Sequence, residues 1–235
     1  MFLFWRLFLA HLVADYPLQT GWVFREKTEH TWGVVYHGSV AGVLGFALAG
    51  PYLRYPRTWV VLIGVWLFHI FLDKGKTLLN SKAVRSWWLV FVADQALHVG
   101  SVWLAAILIN GPDLGRGVFL WGSDPFFQLA SAYVITTYSL LFLVSSIKGS
   151  RPGDVLIVPR ISLRFVEFGE RIAITTLALV GGMFYVIIPF CVLPRLLLRR
   201  RMPGEIAYWE IVLSLLLSAG VGLFFRYIVF GRMPW

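Results

Sequence analysis

The stretch that decides the fold is residues 58–79, TWVVLIGVWLFHIFLDKGKTLL. Most of its residues are apolar, and a helix needs about 20 mostly apolar residues to cross the hydrocarbon core of a bilayer. We therefore predict a transmembrane helix that carries His69 and Asp73 within it. Ionisable groups inside such a helix are costly, and by default they mark a functional site.

The rest of the chain has the same apolar character. Of its 235 residues, 58% are hydrophobic and 14% are charged, whereas soluble domains have about 45–50% apolar and about 25% charged residues. The net charge of +9 would suggest a nucleic-acid partner for a soluble protein. Here the basic residues lie in short loops between apolar stretches, which is the positive-inside pattern of membrane proteins. We expect a lipid bilayer around the chain and no nucleic acid.

Hydropathy and helix-breaking residues predict an all-α, polytopic transmembrane helical bundle of about seven spans. We predict that the chain forms a single domain over residues 1–235. Residues 1–109 are expected to form a four-helix half with the metal site, and residues 126–235 are expected to form supporting spans. The first apolar run is interpreted as a retained span rather than a signal peptide, because no basic segment precedes it. Pro189 and Pro194 are expected to break or kink the sixth span. The predicted spans are 2–18, 32–49, 58–79, 87–109, 126–147, 170–188 and 206–227, with loops at 110–125 and 148–168.

The distribution of lysine and arginine predicts the orientation. The loops after the third and fifth spans are the richest in basic residues, so we expect them on the cytoplasmic side of an inner membrane. A basic run after Pro189 disagrees, since by this span count it would face outward. Either that region forms an interfacial or re-entrant helix, or the span count after the fifth span is wrong. The arginines concerned are Arg195, Arg199, Arg200 and Arg201.

Four of the five histidines lie within predicted spans, and three of these have an aspartate four residues away. Residues at that spacing share one helix face, so each pair presents an imidazole and a carboxylate in one direction. Helices build multidentate metal sites from such pairs. The pairs are His11 with Asp15, His69 with Asp73, and Asp94 with His98, while His37 lies alone in the second span.

The order of residues within the pairs predicts that they converge. In the first and third spans, which run parallel, the aspartate follows the histidine, and in the antiparallel fourth span the order is reversed. Antiparallel threading therefore brings the three aspartates to one depth, with the histidines in a layer below. At a rise of about 1.5 Å per residue, all seven groups fall within roughly 4–16 Å of one membrane face. The loop charges predict that this face is cytoplasmic.

Seven converging groups indicate metal or proton chemistry, although a single intramembrane histidine usually makes only a contact between helices. One tetrahedral zinc takes four ligands, so seven candidates favour two bridged ions, or one ion with the remaining groups as orienting partners or a general base. Nitrogen and carboxylate ligands suit zinc, and we expect one or two divalent ions. Asp94 and Asp15 are the candidate catalytic residues. Bis-histidine haem is an alternative, but haem would not need an aspartate beside each histidine.

These residues resemble a known family. The segments His11-Leu-Val-Ala-Asp15-Tyr-Pro-Leu-Gln19, His69-Ile-Phe-Leu-Asp73-Lys74 and Asp94-Gln95-Ala-Leu-His98 are similar to those of the bacterial membrane family catalogued as domain of unknown function 3307. The resemblance implies a shared site but no established activity. More distantly, the His/Asp pairs are similar to those of membrane-bound metal-dependent hydrolases and zinc-dependent phospholipase C.

Three functions are compatible with this pattern. The leading hypothesis is a metal-dependent hydrolase of an amphiphilic phosphoester or lipid. Phosphoester cleavage is favoured over acyl cleavage, because no serine or cysteine nucleophile accompanies the cluster. The alternatives are a proton or divalent-cation transporter, and an accessory subunit that other membrane protein subunits bind and in which the metal is structural. For some neighbouring residues the sequence does not decide between a role in the site and an ordinary structural role. These are Gln19, Gln95, Lys74 and the pair Glu170–Arg171.

Overall fold

The structure is a computed structural model that describes residues 2–80, 87–109, 124–148, 161–202 and 204–231. Every regular element in these residues is helical, which confirms the predicted all-α class. The α-helices are α1 (Phe2–Asp15), α2 (Gly21–Glu29), α3 (Thr31–Leu48), α4 (Pro56–Asn80), α5 (Trp87–Ile109), α6 (Asp124–Val134), α7 (Leu140–Ile147), α8 (Ile161–Val180), α9 (Leu193–Arg201) and α10 (Tyr208–Phe230). A 3-10 turn covers Gly50–Tyr52, a π-helical turn at Ile135–Ser139 joins α6 to α7, and a 3-10 helix at Gly182–Val192 precedes α9.

Six helical stretches of the described residues are long and apolar enough to cross a membrane. Large apolar side chains on them are exposed, including Val60 and Phe71 at 72% and 69%, and extensive exposed apolar surface marks contact with lipid or another protein. The chain is therefore a multi-pass membrane protein. The stretches are Thr31–Leu48, Pro56–Leu78, Trp88–Ile109, Asp124–Ile147, Gly182–Arg201 and Tyr208–Phe230.

The predicted bounds of the sixth span are wrong. Helix α8 already begins at Ile161, so residues 161–168, which were expected in a loop, are helical. The helix ends at Gly181 and Gly182, whose φ angles are 76° and 65°, and glycine reaches this region without the steric cost of a Cβ. The break therefore falls at this glycine pair. Of the two expected breakers, Pro189 lies inside the 3-10 helix that follows and Pro194 lies in the first turn of α9. The rest of the predicted loops, residues 110–123 and 149–160, lies outside the described residues.

The chain reversal after α8 makes α8 and α10 parallel neighbours. At the middle of α8 and the second turn of α10, Arg171 Nε donates to Ser214 Oγ at 2.8 Å. Near their ends, Arg226 Nη1 donates to the Leu179 carbonyl at 2.6 Å. The intervening segment Gly182–Arg201 must therefore run back to the end of the bundle at which α8 begins.

This topology explains the arginines that disagreed with the predicted orientation. Arg199 contacts the ring of Tyr208 at 3.7 Å, at the start of α10. Lys148 lies at the same end, since its Nζ is 2.7 Å from Glu210 Oε1 in the first turn of α10. Arg195 is buried and ion-paired rather than a loop charge. Of the two explanations that the sequence left open, this arrangement supports an incorrect span count after the fifth span, because α8 and Gly182–Arg201 are two separate segments that cross the bundle.

Close contact between α3 and α4 positions the predicted site. A Cβ added at Gly38 would lie 2.3 Å from Ile70 Cγ1, and one at Gly42 would lie 2.8 Å from Trp66 Cδ1. Small residues allow helix backbones in membranes to approach one another in this way. His37 in α3 consequently lies beside His69 in α4, with ring centroids 5.5 Å apart. The apolar core beyond the histidines is formed by Leu3, Leu7, Ala49, Tyr52, Leu62, Val102, Ala105 and Ile109.

Candidate metal centre

The structure brings all seven predicted ligands together, and each is at most 7% exposed. The four imidazoles form one layer. Ring centroids are 4.5 Å apart for His69 and His98, and 4.9 Å apart for His11 and His98, whose rings are stacked. Helices α1, α3, α4 and α5 each contribute one histidine to this layer, as their antiparallel arrangement requires.

Asp15 lies at the centre of the cluster. Its Oδ1 is 3.7 Å from His11 Nδ1, 3.2 Å from His37 Nε2 and 3.5 Å from His69 Nε2. Its Oδ2 accepts a hydrogen bond from Gln95 Nε2 at 3.3 Å. Within the described residues, no lysine or arginine pairs with Asp15. One carboxylate oxygen without a cationic partner is therefore surrounded by three imidazole nitrogens.

Asp73 is held differently, by a lysine from α2. Lys27 Nζ lies 2.6 Å from Asp73 Oδ1, and both side chains are buried. The other oxygen, Oδ2, faces the imidazole layer at 3.3 Å from His69 Nε2 and 3.5 Å from His37 Nε2. The ion pair therefore fixes one oxygen of Asp73 and directs the other inward.

Asp94 repeats the arrangement with a lysine from α4. Lys76 Nζ lies 2.5 Å from Asp94 Oδ2, and Gln95 Nε2 donates to the same oxygen at 3.2 Å. Asp94 Oδ1 is 3.6 Å from His98 Nδ1. His98 Nδ1 also lies 2.8 Å from the main-chain carbonyl of Asp94, a contact in which this nitrogen carries the proton. The lone pair of His98 Nε2 is then available to a ligand, and this atom has no hydrogen-bond partner.

Sequence reasoning missed both lysines. Lys27 falls in a segment expected to be a polar loop, but Gly21–Glu29 forms helix α2, and its buried residues are Val23 and Lys27. Their spacing of four residues was the available signal of a helix with one buried face. The lysine singled out instead, Lys74, donates to Thr31 Oγ1 at 2.8 Å and makes no ion pair among the described residues. Lys76, three residues after Asp73, could have been found from the same helical periodicity.

Of the two glutamines that the sequence left open, Gln95 contacts the cluster directly, and Gln19 contacts Lys27, the lysine paired with Asp73. Besides its bonds to Asp15 and Asp94, Gln95 accepts a hydrogen bond from Tyr16 Oη at 3.0 Å and faces His11 Nε2 at 3.3 Å. Gln19 Oε1 accepts from Lys27 Nζ at 3.3 Å. Such hydrogen bonds orient carboxylate and imidazole ligands in metal sites.

Glu170 and Arg171 belong to a separate buried network. Arg195 Nη2 lies 2.6 Å from Glu170 Oε1, and its Nη1 lies 3.2 Å from Glu167 Oε1. Arg171 Nη1 donates at 3.2 Å to the carbonyl of Thr137, which lies in the π-helical turn. The pair therefore joins α8 to the elements around it and does not contact the His/Asp cluster.

Three overlapping groups in the cluster have ligand atoms within 4.8 Å of one another. Hydrogen bonding distinguishes them. The group His11–Asp15–His69 includes two buried nitrogens without a hydrogen-bond partner, His11 Nδ1 and His69 Nε2. Its carboxylate, Asp15, forms no ion pair with a lysine of the described residues. The group Asp73–Asp94–His98 contains both carboxylates that pair with lysines, so their negative charges are already partly neutralised. The groups are His11–Asp15–His69, His37–His69–Asp73 and Asp73–Asp94–His98.

Fold and site together define a multi-pass helical membrane protein with a buried His/Asp cluster. Residues 3–113 match the family model described as protein of unknown function (DUF3307). The match includes all seven clustered residues and supports the resemblance seen in the three motifs, so this part of the chain is similar to that family. No curated protein and no solved structure matches the chain.

Proposed function

We propose that this protein holds one divalent metal ion at His11, Asp15 and His69 and uses it to hydrolyse an amphiphilic phosphoester. The observation that carries the proposal is that Asp15 Oδ1 faces the unpartnered nitrogens His11 Nδ1 and His69 Nε2 at 3.7 and 3.5 Å. A buried polar atom without a partner costs about 1–3 kcal/mol, and an ion between these atoms would remove that cost. Two nitrogens and one carboxylate suit zinc, and catalytic zinc sites keep a fourth position open.

The charge of the cluster favours one ion over two. Three carboxylates and two paired lysines leave a net charge of −1 when the imidazoles are neutral. One divalent ion changes this charge to +1, whereas two would raise it to +3. Uncompensated charge is costly in a buried, low-dielectric region. His37, Asp73, Asp94 and His98 would then orient the ligands or take part in proton transfer rather than complete a second metal site.

The residues around the ion have separate roles in this proposal. The ion, when bound, supplies Lewis acidity to a phosphoryl oxygen and acidifies a water molecule. Asp94 is the proposed general base, because Lys76 and Gln95 hold its Oδ2 while Oδ1 carries no lysine. His98 lies beside that oxygen and can relay the proton. Asp15, the other catalytic candidate from the sequence, is assigned as a ligand.

A structural metal is the second candidate function. The pairs Lys27–Asp73 and Lys76–Asp94 already tie α2, α4 and α5 together around the cluster. An ion at Asp15 would extend these links to α1, as expected of an accessory subunit in a larger membrane complex. In that case the ion would stabilise the fold and no substrate would be turned over.

The first experiment measures metal per chain in protein purified in mild detergent. We expect about one equivalent in the wild type and in His30→Ala, since His30 is exposed and outside the cluster. His69→Ala should lose the ion, because His69 belongs to the group with unpartnered nitrogens. Absence of metal from the wild type, or its retention in His69→Ala, would contradict the proposed centre.

The second experiment tests hydrolysis with phosphoester, phosphonate and acyl-ester amphiphiles. Asp94→Asn keeps the volume of the side chain but removes the charge and the proton acceptor, so it should retain the metal and lose turnover. Melting curves with and without chelator accompany the assay. Stability that depends on metal, with no hydrolysis of any substrate, would reject the enzyme and leave the structural metal.

A further inference from the structure

A cavity of about 320 Å³ lies where α1 turns into α2, beside the start of α8. Its volume is that of a small ligand pocket. The polar side chains that line it include Tyr16, Gln19 and Arg164, and aromatic rings of α7 and α8 complete its wall. It is separate from the His/Asp cluster, and nothing in the proposed mechanism so far uses it.

Two lining residues connect this cavity to the metal centre. Tyr16 donates its hydroxyl proton to Gln95 Oε1 at 3.0 Å, and Gln95 in turn donates to Asp15. Gln19 accepts from Lys27 at 3.3 Å, and Lys27 pairs with Asp73. The cavity and the centre are therefore separated by the thickness of one or two side chains, and a ligand in the cavity would lie next to the proposed site of hydrolysis.

Arg164 makes the cavity suitable for an anion. Among the described lining residues it is the one charged side chain and no carboxylate is present, and no acidic residue of the described chain forms an ion pair with it. Its Nε is buried without a hydrogen-bond partner. A guanidinium offers a planar set of donors that matches phosphate and carboxylate oxygens. An anionic group in the cavity would satisfy the unpartnered donor and neutralise the charge.

The apolar wall indicates that the anion carries a hydrocarbon chain. Phe142 and Phe168 face the cavity together with Phe165, which is 71% exposed on the outer surface of α8. Because this exposed phenylalanine also lines the cavity, it offers an apolar surface at the cavity mouth that a hydrocarbon chain can contact. A free inorganic anion would leave this aromatic surface without a function.

We propose that this cavity binds the anionic head of an amphiphile, a phosphate or phosphoester, with Arg164 on the head and Phe165 and Phe168 along the start of the chain. The inference rests on the proposed function, for which it names the place where the substrate head is held. Tyr16 and Gln19 would lie between the bound head and the ligands of the metal centre.

The test measures binding of dodecyl phosphate to the full chain in neutral detergent by isothermal titration, with inorganic phosphate and dodecanol as separate probes. Arg164→Gln should weaken binding of dodecyl phosphate by about tenfold or more, because a charge-assisted hydrogen bond is lost. Arg164→Lys should recover part of it. Arg25→Gln is the matched control, since Arg25 is exposed on α2 and does not line the cavity. Melting temperature and metal content of each variant are measured on the same preparations.

Inorganic phosphate should bind wild type at least about tenfold more weakly than dodecyl phosphate, because it lacks the chain. Equal binding of the two would show a free-phosphate site and overturn the proposal, as would equal binding of dodecanol. If Arg164→Gln fails to fold, Phe165→Ser at the exposed position still tests the apolar wall. It should weaken the binding of dodecyl phosphate but not the binding of inorganic phosphate. Unchanged binding of dodecyl phosphate by both variants would also overturn it.

The same measurements distinguish an incorrect proposal for the cavity from an incorrect proposal for the metal centre. Protein without metal that still binds dodecyl phosphate through Arg164 would reject the proposed hydrolase and support the cavity. Protein with metal and turnover that is insensitive to Arg164→Gln would support the hydrolase and overturn the cavity.

Discussion

Lys27 Nζ lies 2.6 Å from Asp73 Oδ1, and this contact joins the short helix α2 to the C-terminal part of α4. Helix α2 reaches this position because it packs closely against the start of α3. A Cβ added at Gly33 would lie 2.2 Å from the main-chain carbonyl of Glu26. The stability of α2 and the electrostatic balance of the His/Asp cluster are therefore coupled, and each can be tested by substitution.

Removal of Lys27 should be strongly destabilising. Lys27→Met leaves the carboxylate of Asp73 buried without its cation, and loss of one partner of a buried pair costs about 3–5 kcal/mol. The double variant Lys27→Met/Asp73→Asn removes both charges and should be more stable than the single variant. Melting temperatures in one detergent measure the effect, and Lys74→Met, whose lysine contacts Thr31, is the control. A double variant less stable than Lys27→Met would show that the pair is not the source of the loss.

The close approach of α2 to α3 predicts a specific sensitivity to a single methyl group. Gly33→Ala must displace the backbone of α2, and overpacking of this kind costs about 1–3 kcal/mol. Gly64→Ala is the matched control, because no atom lies within 4 Å of the added Cβ and alanine favours helix by about 1 kcal/mol over glycine. The melting temperature should fall for the first variant and stay equal or rise for the second. An equal response of both would contradict the close contact.

Gln95 should control metal affinity without being a ligand. Gln95→Leu removes the hydrogen bond to Asp15 Oδ2, and loss of such orienting contacts weakens metal binding by about 10–100-fold. Asp15→Asn, which removes the ligand charge itself, should weaken binding further. Competition against a chromophoric zinc chelator measures both, with His30→Ala as the control. An affinity of Gln95→Leu equal to that of wild type would exclude this role.

The second buried network should affect stability but leave the metal centre unchanged. Arg195→Met leaves Glu170 without its paired arginine and Glu167 with only Arg171, 3.7 Å away, for which we expect a loss of about 3–5 kcal/mol. Arg200→Met is the control, since Arg200 is exposed at the end of the same helix. Melting temperature and metal per chain are measured together. Loss of metal in a folded Arg195→Met protein would show that the two networks are coupled.

Local features of the sequence were sufficient to predict the class of the fold and the members of the cluster. Apolar stretches identify membrane helices because backbone groups in lipid must be satisfied within the helix itself. His69 and Asp73 share a face because residues four apart are neighbours on any α-helix. The reversed order of Asp94 and His98 indicated the common depth, since consecutive helices that cross a bilayer alternate in direction. Each inference uses only the helical period and the bilayer thickness.

Contacts between segments distant in sequence were decided only by the tertiary structure. Lys27 pairs with Asp73, and Arg195 with Glu170, because the packing of α2 and the reversal at Gly181 bring these charges together. A positive side chain in a polar segment has the same local sequence signal whether it is solvated or buried against a carboxylate. The arrangement of neighbouring helices decides between the two, because burial of each charge is stable only when its partner is in place.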